Sequence, residues 1–189
     1  MSIIHSKEKK VGFSMGQVCI YSGRCEEELS DRLFDILEED PVFVCIGSDR
    51  ITGDCLGPIV GEQLVKRYNV PFYVYGTLDY PVNGKNLSVA LEFLKNVHRG
   101  SKIVAIDASL GSYEDIGMIK FGRGPIQAGG AIRKDNHTVG DYFITGVVNS
   151  GSFADNTRLF STRLYVVNRM AEIIAGAIGR YAKPQRYVM

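Results

Sequence analysis

Three short runs with almost no polar residue, at 42–46, 72–75 and 103–106, each follow a stretch of helical period. A strand that is apolar at every position has no face to give to water, so both of its faces must be covered. Helices must therefore lie above and below the sheet. The intervening stretches supply them. Leu29, Leu33, Ile36 and Leu37 recur at helical spacing over 26–39, Val60, Leu64 and Tyr68 follow Pro58, and Leu87, Leu91 and Leu94 precede Gly100. Pro41 stops the first helix, and Pro58 suits the first turn of the second. The order helix, strand, helix, strand, helix, strand predicts an α/β fold: a three-layer sandwich with a mostly parallel central sheet.

The pattern changes after Asp107. Residues 117–121 and 142–148 read as further strands, with a polar, glycine-rich loop at 122–141 between them. A loop that long inside a compact domain is usually functional. Residues 157–181 read as one closing helix, with Leu159, Leu164, Val167, Met170 and Ile174 on its inner side. The length of 189 residues suits one domain. Residues 1–25 are mixed in character and read as an N-terminal arm, with a single α/β domain over 26–189.

The net charge of +1 gives no electrostatic case for nucleic acid or an anionic membrane as partner. No apolar run approaches the ~20 residues of a membrane span, and no apolar stretch follows Lys7, Lys9 and Lys10 as a signal peptide would require. Cys19, Cys25, Cys45 and Cys55 form no CxxC pair and have no histidine at zinc-finger spacing. These features predict a reducing, cytoplasmic setting.

Ligands of open α/β sheets bind beyond the carboxyl ends of the strands. Asp107 directly follows the run at 103–106, and Asp54 lies in the loop after the run at 42–46. That loop, Gly47-Ser48-Asp49-Arg50-Ile51-Thr52-Gly53-Asp54-Cys55-Leu56-Gly57-Pro58, precedes a predicted helix. Gly47, Gly53 and Gly57 permit close backbone approach. The loop is neither GxGxxG nor a Walker A motif, and its acidic residue works against phosphate. Singly, Asp54 also suits a helix cap, and Asp107 a brace for loop amides. Cys55 lacks a nearby histidine and reads as a small residue rather than a nucleophile. The joint placement of the two aspartates makes them the candidate catalytic pair.

This loop, together with Ile103-Val104-Ala105-Ile106-Asp107-Ala108 and Val139-Gly140-Asp141-Tyr142-Phe143-Ile144-Thr145-Gly146-Val147-Val148-Asn149, resembles the YyaC-type sporulation proteins over roughly residues 26–180. That family is similar to the spore germination protease and, more distantly, to hydrogenase maturation peptidases of the HybD type. The resemblance implies a HybD-like fold and a peptidase acting on a protein or peptide substrate in sporulation or germination, in the cytoplasm of mother cell or forespore. It implies catalytic roles for Asp54 and Asp107. Gly47, Ser48, Asp49, Gly53, Gly57 and Asp141 are candidate substrate contacts, of which Asp49 and Asp141 are better suited to cap or brace loops. No cofactor is obligatory on this reading. The HybD likeness admits a divalent metal, nickel or zinc, held by Asp54, Asp107 and His137. Among partners, it admits a homo-oligomer. Gly47-Ser48 stands where both peptidase groups have Gly-Asn. A relative that binds a peptide or partner in the same crevice without cleaving it is the alternative.

Overall fold

The computed structural model describes residues 15–37, 40–128, 137–151 and 157–182. Its centre is a six-stranded sheet in the order β1-β5-β8-β4-β2-β3. The strands are β1 (Gly16–Cys19), β2 (Val42–Cys45), β3 (Val74–Tyr75), β4 (Ile103–Gly111), β5 (Met118–Arg123) and β8 (Tyr142–Ser150). β3, β2, β4 and β8 run parallel to one another, and β5 lies antiparallel between β8 and β1. A hairpin of β6 (Ile126–Ala128) and β7 (His137–Val139) forms a second, small sheet. The helices are α1 (Cys25–Ile36), α2 (Leu56–Lys66), α3 (Leu87–Val97), α4 (Thr157–Phe160) and α5 (Leu164–Tyr181). The expected three-layer α/β sandwich with a mostly parallel sheet is the fold of this chain.

Two cores follow from strand alternation. Phe43, Cys45, Val104, Ile106, Ile119, Phe121 and Ile144 point to the face covered by α1, α2 and α5. Val42, Val44, Ile46 and Ala105 point to the other face, where Leu87 and Leu94 of α3 and Ala128 and Val139 of the hairpin meet them. No side chain of β8 or β5 belongs to this second core.

Several elements differ from the sequence reading, each for a physical reason. β4 does not end before Asp107 but continues to Gly111, because β8 pairs it as far as Ser150. The stretch read as a loop at 122–141 carries the last residues of β5 and both strands of the hairpin. The closing helix breaks into α4 and α5, because Arg163 takes an extended conformation (φ −72°, ψ 122°) that no helix interior tolerates. Residues 16–19, within the stretch read as an arm, pair with β5 as an edge strand.

Candidate active site

The crevice forms where the chain reverses around β2. From β2 the chain passes through α2 on the first face to β3. It then returns through α3 on the second face to β4, on the other side of β2. A reversal of this kind leaves a gap between the carboxyl ends of the two central strands. The register sharpens it. Cys45, the last residue of β2, pairs with Ile106, so Asp107 is the first position of β4 beyond β2. Asp107 therefore borders this gap because β2 is short, not because its own strand ends.

The loop after β2 is closed tightly upon itself. Ser48 donates its N–H to the carbonyl of Asp54 at 3.0 Å, and Asp54 donates to the carbonyl of Ile51 at 2.9 Å. Gly47 has φ +141°, and a Cβ there would stand 2.0 Å from the Asp54 carbonyl oxygen. A Cβ on Gly57 would stand 2.1 Å from the carbonyl oxygen of Ile46. These contacts fix Asp54 in a short 3-10 turn, Thr52–Cys55, that runs into α2. The helix itself has no side-chain cap, so Asp54 does not serve as one.

Both carboxyl groups are held away from their ordinary acidity. Burial pushes Asp54 up to about 6, against a smaller opposing pull from the Ser48 N–H. Burial pushes Asp107 well above the usual carboxylate range. The negative charge of Asp54 pushes it further, and the Ala108 N–H opposes both. That N–H reaches the Asp107 Oδ1 at 2.8 Å. The Asp54 charge therefore acts on Asp107, and both shifts favour the protonated carboxyl.

The remaining expected residues divide clearly. Ser48 and Asp49 line a cavity of about 370 Å³ beside the loop, together with Arg50, Ile51, Pro81 and Asn83. Gly53 is buried against Leu159 and Thr162, where a Cβ would come within 2.8 Å of both side chains. Gly47 and Gly57 shape the loop. Asp141 is not brought to the crevice. Its Oδ2 accepts the Ile103 N–H at 2.9 Å, at the opposite end of β4. It braces the start of that strand, helped by Lys102 at 3.7 Å. His137 opens β7 opposite Ala128, and its side chain lies outside the described residues. Among the described residues, no group of three His, Cys, Asp or Glu converges on one point. Asp54 and Asp107 are two of the three protein ligands expected for a metal, and the third, the His137 side chain, lies outside the described residues. Burial pushes the Cys55 thiol up, and its Sγ lies 2.9 Å from the Thr52 carbonyl oxygen, so it is not an activated thiolate.

The strand register adds two residues to the neighbourhood. Asp107 pairs with Thr145 of β8, and Thr145 pairs with Lys120 of β5. Paired residues share a face, so the three side chains form a row running away from the crevice. Lys120 is tied to Asp115 at 3.1 Å. The signal for Thr145 was present in the motif Ile144-Thr145-Gly146, but its neighbour Asp107 is set by tertiary pairing.

The chain belongs to the family described as "Protein of unknown function (DUF1256)", whose model matches residues 18–177. It is 40% identical over 134 residues to "Uncharacterized protein YyaC" of Bacillus subtilis (strain 168). The aligned region covers 71% of this chain and 65% of that relative, less than two thirds of its length. The YyaC-type resemblance read from the loop and strand motifs is thereby established. No helix among the described residues is long and apolar enough to cross a membrane.

Proposed function

We propose that this chain is a peptidase that hydrolyses a peptide bond of a protein substrate, with Asp54 and Asp107 as its acid–base pair. The observation that carries the reading is a pair of carboxyl groups at the carboxyl ends of the adjacent strands β2 and β4, close enough for the Asp54 charge to act on Asp107. With Asp54 raised to about 6, it is largely ionised at neutral pH and suited to act as base. Asp107, raised by burial and by the Asp54 charge, is biased toward its protonated form and is suited to act as acid.

The step balances with water alone. The Asp54 carboxylate takes a proton from a water as its oxygen attacks the peptide carbonyl carbon. Asp107 gives its proton to the carbonyl oxygen, which becomes a hydroxyl. The C–N bond then breaks as Asp54 passes its proton to the leaving amine, and the hydroxyl returns a proton to Asp107. Extended substrate would lie over the sheet edge, with a side chain in the cavity lined by Ser48 and Asp49. By the resemblance to sporulation proteins, we place this activity in sporulation, in the cytoplasm of mother cell or forespore. Nickel or zinc enters only if groups beyond the two aspartates complete its ligands.

A second reading has its own observation. The Asp107 carboxyl already accepts the backbone N–H of Ala108, and Asp54 is held by the Ser48 N–H at its own carbonyl. Such groups also suit a crevice that binds a peptide without cleaving it.

One experiment separates the two. The purified chain is incubated with a library of unstructured peptides, and new termini are read by mass spectrometry. Peptidase action predicts cleavage that Asp54→Asn and Asp107→Asn each reduce by roughly 100-fold or more. Cleavage that survives both substitutions, or peptide capture without cleavage, sinks the peptidase reading.

A further inference from the structure

We propose that the cavity between α1 and α5 is a binding site for an alkylammonium group, carried either by a free organic amine or by a lysine side chain. The cavity encloses about 700 Å³. Small residues make its floor. Gly176 and Gly179 lie one turn apart on α5, and Ser30 lies one turn beyond Glu26 on α1. The Glu26 carboxyl rests on the α5 backbone, where a Cβ on Gly176 would come within 2.6 Å of it. The Tyr68 ring rests on Gly179 in the same way, where a Cβ would come within 2.4 Å. A side chain at either glycine would displace the group above it. Tyr68 and Phe34 supply the aromatic walls.

Ser30 gives the floor a polar group with nothing in the fold to satisfy it. It is only 3% exposed, and it lines the cavity. Among the described residues its hydroxyl has no hydrogen-bond partner. A covered hydroxyl without a partner costs free energy that a polar group entering the cavity would recover.

The charges of the rim choose the sign of that group. Both guanidinium groups are already engaged. Arg180 Nε lies 2.7 Å from Glu26 Oε1, and its Nη2 lies 3.9 Å from Glu27. Arg24 Nε lies 3.4 Å from the same Glu27. Asp31, the third carboxylate of the rim, forms no ion pair among the described residues, and its charge reaches Arg180 only through space. The rim therefore holds one carboxylate more than it can neutralise, and a cation suits it. A metal ion does not, because among the described residues no group of three His, Cys, Asp or Glu converges on one point. An organic cation has what the cavity offers: an ammonium for Asp31 and the Ser30 hydroxyl, and a methylene stem for Phe34 and Tyr68.

The test is isothermal titration of the full chain at low salt with the diamine cadaverine, with acetyl-Ala-Lys-Ala-amide and magnesium chloride as further ligands. At least one amine is expected to bind with Kd at or below roughly 1 mM, and the tighter of the two names the source. Ser30→Ala is expected to weaken binding about 10-fold. Its thermal unfolding should be no lower than wild type, because the hydroxyl bonds nothing and alanine favours the helix. Asp31→Asn is expected to weaken binding about 5-fold. Asp35→Asn removes the same charge from α1 outside the cavity, and is expected to change binding by less than about 2-fold. No binding of either amine up to about 10 mM overturns the proposal. So does unchanged binding in Ser30→Ala, which would place the amine elsewhere. Equal weakening by Asp31→Asn and Asp35→Asn would reduce the effect to general attraction toward an acidic helix, and overturns it too. Magnesium binding with the same dependence on Ser30 and Asp31 would make this an inorganic cation site instead. None of these readouts involves peptide cleavage, so the proposal stands or falls apart from the proposed activity.

Discussion

On one face of the sheet three helices press close, and on the other a helix and a small hairpin cover part of the sheet and leave a polar row beside them. The first face is packed through glycines. A Cβ on Gly146 would stand 2.6 Å from Leu56 and 2.7 Å from the sulfur of Met170, so α2 and α5 rest almost on the backbone of β8. The second face carries Asp107, Thr145 and Lys120 just beyond the cover of α3. Burial on the first face stabilises the chain. On the second face burial stops part-way, and there it raises the pKa of Asp107 instead. The difference teaches that, on the proposed reading, the acid–base pair would depend on incomplete coverage, held in place by complete coverage behind it.

The comparison breaks most easily at the backbone contacts of the first face. Gly57→Ala would drive a methyl group into the Ile46 carbonyl, and should cost roughly 4 kcal/mol or more. Urea unfolding measures this, and a loss under about 1 kcal/mol would show that the loop yields and that the packing contrast is overstated. Met170→Ala should cost about 2–5 kcal/mol, since its side chain is wholly buried between helix and sheet.

Asp54→Asn should act in the opposite direction. Its folded pKa, about 6, lies above the unfolded one, so the folded state holds the proton more firmly than the unfolded chain. Stability from this group is then complete below about pH 4 and falls as pH rises toward about 6, where Asp54 ionises in the fold. At pH 7 the neutral amide should raise stability by about 2–3 kcal/mol while removing cleavage. Thermal unfolding of wild type and variant from pH 4 to pH 8 checks the sign, and a variant less stable than wild type at pH 7 would show that the carboxylate is structural. The smallest effect belongs to Lys120→Ala. Its ion pair with Asp115 is about one-third exposed at both ends, so the loss should stay within about 1 kcal/mol.

Much of the first-face logic was legible along the chain. The run at 42–46 has no polar position and could only be a central strand. The spacing of glycines in the loop after it marks close approach, and both aspartates stand where a parallel sheet presents ligands. The rest depended on partners. The length of β4 is set by β8, and the row from Asp107 to Lys120 exists only because β8 and β5 lie where they do. Asp141 carried a usable sign that pointed the other way. It precedes Tyr142, the first residue of its strand, and a residue that precedes a parallel strand belongs to the edge opposite the crevice. The strands of the hairpin, three residues each, are too short for alternation to mark.

The self-closed loop after β2 also constrains how this protein can diversify. Gly47 and Gly57 each touch a carbonyl oxygen of the loop's own path, so neither an inserted residue nor a larger side chain has anywhere to go. Relatives that adapt to new partners must therefore vary elsewhere. The available material is the opposite wall of the cavity, where Leu78, Pro81, Asn83 and Lys85 face the loop. Inheritance would then keep one wall of the crevice fixed and let the other drift, and specificity would be written in residues 77–86.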